Sequence, residues 1–257
     1  MAATLEARTA REEAVEAGGR PPPSPLAGSL TLLQHPPVYT LGAGATADHL
    51  KFDPEHPPHP LFRVERGGEA THHCPGQLTL YPILDLTTPG LLPDLHWWLR
   101  GLEEVALRAA AAAGAAAVRP AFGARHADAE RAAAAVATGS RIEGLTGAWL
   151  PSGKVAAVGV RATRWVTYHG LALNVDPDLS GFSAIVPCGI ADRPVTSLAA
   201  AVAAVAGGEG FPAALAVGAP GQGPLMGAAA AAALGAFADV FGVELVGVGG
   251  EGGRRKG

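Results

Sequence analysis

The fold is decided by the stretch Thr146-Gly147-Ala148-Trp149-Leu150-Pro151-Ser152-Gly153-Lys154-Val155-Ala156-Ala157-Val158-Gly159-Val160-Arg161. It contains two apolar runs, Thr146–Leu150 and Lys154–Arg161, on either side of a proline, a serine and a glycine. These three residue types favour tight turns, and apolar runs of this length favour strands. The stretch therefore predicts two antiparallel strands joined by a hairpin turn.

Further strands and helices are predicted on both sides of this hairpin. The predicted strands are Leu30–Gln34, Val38–Leu41, Leu61–Arg66, Leu78–Asp85 and Trp165–Asn174. The predicted helices run from a cap at Asp94 through Arg108 into an alanine-rich run, from Ser197 to Ala206, and from Gly227 to Phe241. No βαβ unit repeats, which favours an α+β fold with mixed β-sheets and flanking helices.

The chain is predicted to form one domain, residues 25–245, because 257 residues are enough for one substantial core. Residues 1–24 are predicted to form a helix followed by a proline-rich linker, and residues 246–257 a disordered Gly/Arg tail. An alanine-rich insertion is expected near residues 120–141. The short N-terminal part indicates a chain truncated at its start.

Composition argues against several classes of protein. The formal net charge is −4, whereas a nucleic-acid binder normally carries a basic excess. Two cysteines are too few for the disulfide framework of a small secreted fold. The apolar runs rich in alanine are short and interrupted, so no membrane span is predicted. Glutamates within Met1–Gly19 argue against a targeting segment.

Cys188 is the candidate nucleophile, in the turn-like sequence Ile185-Val186-Pro187-Cys188-Gly189-Ile190. A thiol is a strong nucleophile only as thiolate, and a nearby ammonium such as that of Lys154 favours the thiolate. The alternative is a buried cysteine that acts as a small apolar side chain.

The glycine- and histidine-rich segment Arg66–Gln77 is a second candidate. Adjacent glycines let the backbone approach a ligand, although the segment lacks the Gly-Lys-Ser/Thr ending of a P-loop. A plain turn between two strands is the alternative. No metal site is predicted, because His72, His73, Cys74, His169 and Cys188 match no metal-ligand spacing. His169 is either structural or a hydrogen-bonding group near Cys188.

Four segments, in this order, resemble the octanoyltransferase family of lipoate biosynthesis. They are Leu33–Gly42, Arg66–Gln77, Gly153–Arg161, and His169–Val175 followed by Pro187–Ile190. The segments Asp94–Leu99 and Trp165–Gly170 are most similar to the plant plastid branch. Cys74 departs from the family, which usually has glycine or alanine there, and puts a second thiol near the candidate substrate loop.

The resemblance implies a fold similar to the catalytic module of biotin and lipoate protein ligases. It implies transfer of an octanoyl group from octanoyl-acyl carrier protein to a lysine of lipoyl domains, with Cys188 forming the acyl thioester and Lys154 assisting. The acceptors would be 2-oxoacid dehydrogenase complexes or the glycine cleavage H protein. The matching substrate-binding residues are Arg66, Gly67, Gly68, Glu69, Ala70, Thr71, His72, His73, Ala157, Val158, Gly159, Gly170, Leu171 and Ala172.

A monomer without cofactor, in the plastid, is expected from the same resemblance, with the mitochondrion or cytoplasm as alternatives. Two rival functions remain open. One is an ATP-dependent lipoate or biotin ligase, which needs no nucleophilic cysteine. The other is a non-catalytic protein that only binds acyl carrier protein or lipoyl domains.

Overall fold

The computed structural model describes residues 27–122, 134, 136–190, 192–205 and 221–247. Its larger sheet has six strands, each antiparallel to its neighbours. Their order is β1 (Gly28–Leu33), β5 (Gln77–Leu84), β9 (Val166–Asn174), β8 (Gly153–Thr163), β7 (Leu145–Leu150) and β6 (Ser140–Ile142). The hairpin predicted around Pro151–Gly153 is the connection between β7 and β8.

A smaller sheet has three strands, in the order β3 (Leu61–Arg63), β2 (Val38–Leu41) and β4 (Ala70–His73). Strand β2 runs parallel to β3 and antiparallel to β4. The α+β class with mixed β-sheets is therefore confirmed. Strands β4 and β6 were not predicted, because β4 is a polar sequence without alternation and β6 is only three residues long.

The longest helices in the described ranges are α1 (Leu95–Phe122), α2 (Leu198–Val205) and α3 (Pro224–Phe241). Helix α1 begins where predicted, since the Asp94 carboxylate accepts the N–H groups of His96 and Trp97 at 2.7 and 3.1 Å. The helix predicted within residues 1–24, most of the insertion near residues 120–141 and the tail from residue 248 lie outside the described residues.

The main core lies between one face of the larger sheet and the helices. The rings of Trp98 on α1 and Phe241 on α3 are 4.5 Å apart. Gly101 allows this close approach, because a Cβ there would lie 2.5 Å from the Phe241 ring. A smaller core, which includes Tyr39, Phe182 and Ile185, lies beside the three-stranded sheet.

Helix α3 has the length and composition of a membrane-spanning helix, with 18 residues and a mean hydropathy of 1.5. The expectation that no stretch is apolar enough to span a membrane was therefore too broad. In this fold, Ala229, Ala233 and Phe237 recur on one buried face of α3. Such one-sided burial is typical of a helix packed on a protein core.

The Trp98–Phe241 contact predicts a large stability effect. Phe241→Ala should lower the free energy of unfolding by about 3–5 kcal/mol, because it leaves a cavity between α1 and α3. Val246→Ala is the control, since this side chain is 70% exposed and should change stability by less than about 0.5 kcal/mol. Urea unfolding followed by circular dichroism measures both variants, and equal effects would contradict the packing described.

Candidate active site

A cavity of about 900 Å³ is lined by residues of both sheets, including Thr40 of β2 and Thr79 of β5. Most of the predicted site residues line it together. They are Cys188, Lys154, Arg66, Gly67, Gly68, Glu69, Thr71, His73, Ala157, Val158, Gly159, Gly170, Leu171 and Ala172. We call this space the acyl cavity, after the ligand expected from the sequence.

Ala70 and His72 are the two predicted site residues that do not line the acyl cavity. Side chains of a strand point alternately to its two faces, so Thr71 and His73 of β4 face the cavity while their neighbours face away. Ala70 belongs to the smaller core, and the His72 ring lies 4.8 Å from that of Tyr39. The family resemblance implied both residues because its motif spans the whole segment Arg66–His73, whichever way each side chain points.

Lys154 reaches the acyl cavity because β8 contains a bulge. Ala148 of β7 pairs with Ala156, but the next residue of β7 pairs with Lys154, so Val155 is an extra residue. Val155 and Ala156 are both fully buried in the main core. Without the bulge, Lys154 would lie on the same face as Ala156; with it, Lys154 shares the cavity face with Ala157.

The Lys154 side chain is buried, and an aromatic ring and a glycine lie beside it. Its Nζ atom lies 5.4 Å from the centre of the Trp149 ring, within the range of a cation–π contact. Gly147 has a φ of 127°, and a Cβ there would lie 2.5 Å from the Ala156 carbonyl oxygen and 2.6 Å from Lys154 Cε, so a glycine is required. The buried Glu103 carboxylate of α1 fixes this strand by accepting the Gly147 N–H at 2.8 Å.

Cys188 lies in a short 3₁₀ turn, Pro187–Gly189, with left-handed backbone angles of φ 54° and ψ 25°. Left-handed angles are uncommon for a residue other than glycine and cost about 1–3 kcal/mol, so surrounding contacts must hold them. The turn is closed by the Ile190 N–H, which donates to the Pro187 carbonyl at 3.0 Å, and tied down by the Val186 N–H on the His49 carbonyl. The thiol is partly exposed, as a reactive cysteine needs.

Arg66 holds the loop between β3 and β4 against the cavity. Its guanidinium donates to the carbonyls of Gly67, Thr40 and Glu69 and to the Thr40 hydroxyl, at 2.8–3.1 Å. Burial lowers the pKa of Arg66, while the negative forms of Cys188, Glu69 and Tyr81 act in the opposite direction. Arg66 therefore places a positive charge in the wall of the cavity that Cys188 also lines.

The floor of the cavity is made of small residues paired across β8 and β9. Ala157 pairs with Ala172, and Gly159 with Gly170. A Cβ on Gly170 would lie 2.1 Å from the Leu80 carbonyl oxygen, so only glycine fits. Side chains of this size leave room above the sheet for an apolar ligand.

A buried polar network lies at one side of the cavity, and only His73 of its members was predicted. Gln77 bonds to His73 Nδ1 at 2.6 Å and donates to the Asn174 side chain at 2.9 Å, and Asn174 donates to the Thr196 carbonyl. Burial lowers the pKa of His73 to about 4. The imidazole is therefore neutral at physiological pH, so it forms part of the cavity wall without adding a charge.

His35 and Tyr81 also line the cavity and were missed at the sequence level. The His35 ring lies 2.7 Å from the Tyr81 hydroxyl. Alternation along β5 was the signal for Tyr81, which lies two residues after Thr79, whereas His35 lies within the Leu33–Gly42 segment of the family resemblance. His169 is on β9 opposite Val160 and lines the cavity beyond Gly159, away from the Lys154 end.

Cys74 is separated from the reactive site. It is buried, does not line the acyl cavity, and its thiol points to the Asp178 carbonyl at 3.7 Å. Burial, followed by the Asp178 charge, raises the pKa of Cys74 to about 11. Its sequence position near the substrate loop therefore does not make it a second nucleophile. Within the described ranges, no three His, Cys, Asp or Glu side chains are grouped as metal ligands.

The chain is similar to known proteins both in sequence and in fold. The sequence profile of the family described as "Lipoyl protein ligase A/B catalytic domain" matches residues 23–214. The octanoyltransferase of Synechococcus sp. (strain WH7803) is 51% identical over 183 residues, which are 71% of this chain and 63% of that protein. The chloroplastic octanoyltransferase of Arabidopsis thaliana is 45% identical over 170 residues, 66% of this chain and 52% of that protein. The chain thus spans less than two thirds of these relatives.

Solved structures share the fold. A crystal structure of lipoate-protein ligase A bound with ATP matches with a TM-score of 0.54 and 14% identity, covering 94% of this chain and 83% of that one. A putative lipoate protein ligase from T. acidophilum with bound lipoic acid matches with a TM-score of 0.53 and 14% identity, covering 93% and 82%. The expected ligase-like module is therefore confirmed at the level of the fold.

The two thiols are predicted to react very differently with iodoacetamide. At pH 8 in the native protein, Cys188 should be alkylated and Cys74 should not, because a buried thiol with a pKa of about 11 stays protonated. Peptide mass spectrometry locates the adduct. The Cys188→Ser protein is the control: it should label only after denaturation in urea, and rapid native labelling would contradict the burial of Cys74.

The buried His73 predicts a pH-dependent stability. Its pKa is about 4 in the folded protein and near 6.5 when unfolded, so the unfolded chain binds the proton first as the pH falls. Stability should fall between pH 6.5 and 4, by about 2 kcal/mol at pH 5 relative to pH 8 from this residue.

His73→Gln should remove that part of the pH dependence, measured by urea unfolding at both pH values. His96→Gln changes an exposed histidine on α1 and should leave the pH dependence unaltered. If His73→Gln retained the full wild-type dependence, the histidine would not be the buried neutral group described.

Proposed function

The chain belongs to the lipoyl protein ligase A/B catalytic domain family, and from this membership we propose that it transfers an octanoyl group from a thioester donor to lipoyl-domain lysines. The observation that carries the proposal is that Cys188 and Lys154 line one cavity whose floor is apolar. The naming of its relatives as octanoyltransferases supports this choice of acyl group. The proposed donor is octanoyl-acyl carrier protein.

The proposed first step forms the acyl-enzyme. The Cys188 thiolate attacks the thioester carbonyl carbon, a carbon–sulfur bond forms, and the carbonyl oxygen becomes an oxyanion. When the oxyanion collapses, the bond to the donor sulfur breaks and the donor leaves as thiolate, which takes up a proton from the Lys154 ammonium and leaves Lys154 neutral. Arg66 and the Lys154 ammonium stabilise negative charge at the sulfur, and backbone N–H groups would stabilise the oxyanion at about 3 kcal/mol per donor.

The proposed second step forms the amide. The amine of a lipoyl-domain lysine attacks the Cys188 thioester, a carbon–nitrogen bond forms, and Cys188 leaves as thiolate. The extra proton of the attacking amine passes to Lys154 in its neutral form. A thioester is converted to an amide, which is downhill, so the sequence of steps requires no ATP.

The acceptors proposed are lipoyl domains of 2-oxoacid dehydrogenase complexes or the glycine cleavage H protein. A plastid location is proposed on the similarity to the chloroplastic relative of Arabidopsis thaliana. Three cyanobacterial relatives are more similar, at 50–53% identity against 45%, so this location is a separate proposal from the activity.

The ATP-dependent ligase is the second candidate, because its fold is shared. At 14% identity this likeness extends to the fold alone. A ligase activates the acid with ATP and does not pass it through a cysteine, so the dependence of the reaction on ATP and on Cys188 separates the two candidates.

Transfer to a purified lipoyl domain should depend on Cys188 and Lys154 in different ways. Cys188→Ser should reduce the rate at least about 10³-fold, because the acyl-accepting sulfur is lost. Lys154→Arg keeps the charge but loses the proton acceptor, so a reduction of about 10²-fold is expected. Mass spectrometry of the lipoyl domain measures both.

Cys74→Ser is the matched control, since it makes the same chemical change at the buried thiol. It should keep the wild-type rate if the protein remains folded. Unchanged transfer by Cys188→Ser, or transfer from free octanoate that requires ATP, would overturn the proposed function.

A further inference from the structure

A second groove, of about 300 Å³, lies against the far side of the Cys188 turn. Pro187 and Ile190, which flank the Cys188–Gly189 pair, both line it. Ile190 also lines the acyl cavity. The turn that carries the nucleophile is therefore the wall between two spaces. We call the smaller one the turn groove.

The turn groove has both apolar and polar walls and is basic at its surface. Its charged lining residues are Lys51 and Arg193, and among the described residues no acidic side chain lines it. Both cations are exposed, and neither forms an ion pair with another described residue. The remaining walls are Leu179, Phe182, Ser183, Ile185, Val186 and Val195.

Hydrogen bonds hold the backbone at or next to both cationic residues. The Lys51 N–H donates to the Ala184 carbonyl at 2.9 Å. The guanidinium of Arg193 lies 5.8 Å from the centre of the Trp149 ring, and the carbonyl of the next residue, Pro194, accepts the Lys154 N–H at 2.9 Å. A planar guanidinium and an ammonium held beside a groove are suited to bind a phosphate group.

The arrangement of the two spaces matches the parts of a thioester. The acyl chain and the leaving sulfur are attached to the same planar carbonyl carbon and point away from each other. If the carbonyl lies at Cys188 and the chain fills the acyl cavity, the thiol arm leaves on the other side of the turn. A groove of this volume is at the lower end of the range of small-molecule sites.

We propose that the turn groove binds the thiol arm of the acyl donor and that Lys51 and Arg193 bind a phosphate on that arm. This inference rests on the proposed function. It adds that the enzyme distinguishes donors by an anionic group away from the reacting carbon. Free and protein-bound phosphopantetheine thioesters share this chemistry.

The test compares three donors by the rate of octanoyl attachment to Cys188. They are octanoyl-N-acetylcysteamine, which has no phosphate, octanoyl-4′-phosphopantetheine, and an octanoyl carrier protein. For Lys51→Ala/Arg193→Ala, kcat/KM should fall about tenfold with the two phosphate-bearing donors and stay unchanged with the first. The wild-type advantage of those donors should weaken as salt is raised.

Arg108→Ala/Arg141→Ala is the matched control, because it removes two positive charges that pair with Glu104 outside both cavities. It should leave all three rates unchanged. An equal loss with every donor would overturn the proposal, since Arg193 would then act through Trp149 and Lys154. A loss with the carrier protein alone would overturn it in favour of a protein-surface contact.

Calorimetric titration with 4′-phosphopantetheine and with pantetheine gives a readout that needs no reaction. Wild-type protein should prefer the phosphorylated compound about tenfold, and the Lys51→Ala/Arg193→Ala protein should not. Absence of that preference in the wild type would overturn the groove assignment. If octanoyl-N-acetylcysteamine also failed to acylate Cys188, the proposed function would be overturned as well. If it acylated Cys188, only the assignment of the turn groove would be wrong.

Discussion

One extra residue in β8 is the constraint on which the site depends. The bulge at Val155 keeps two successive residues in the main core and turns Lys154 onto the opposite face of the sheet. Burial of a lysine costs free energy, and here the ring of Trp149 and the space above Gly147 accommodate it. The main core and the position of Lys154 in the cavity are thus specified by the same pair of strands.

The position of Cys188 depends on a different kind of constraint. Cys188 has left-handed backbone angles, and the hydrogen bonds of a short turn hold it there. This turn lies between the acyl cavity, which Cys188 lines, and the turn groove, which Pro187 and Ile190 line. Arg66, fixed by four hydrogen bonds, adds a permanent positive charge near the sulfur. Cys188 therefore combines left-handed backbone angles, a positive charge in the wall of the same cavity and a partly exposed side chain.

The sequence predicted most strands and the helix starts that turn and capping residues mark, such as the hairpin at Pro151–Gly153 and the cap at Asp94. It also identified part of the lining of the acyl cavity through the family resemblance. It could not reveal the bulge at Val155, because strand register depends on the partner strand. Nor could it separate Cys74 from Cys188 by burial, since that difference is made by distant segments of the chain.

The central claim is that the octanoyl group passes through the Cys188 sulfur. The most direct measurement is to mix the protein with an octanoyl thioester donor, quench in acid, digest, and locate the added mass by tandem mass spectrometry. The account predicts an octanoyl adduct on the peptide containing Cys188, removable by neutral hydroxylamine as a thioester is. An adduct on Cys74 or on a lysine, or a hydroxylamine-resistant one, would contradict it.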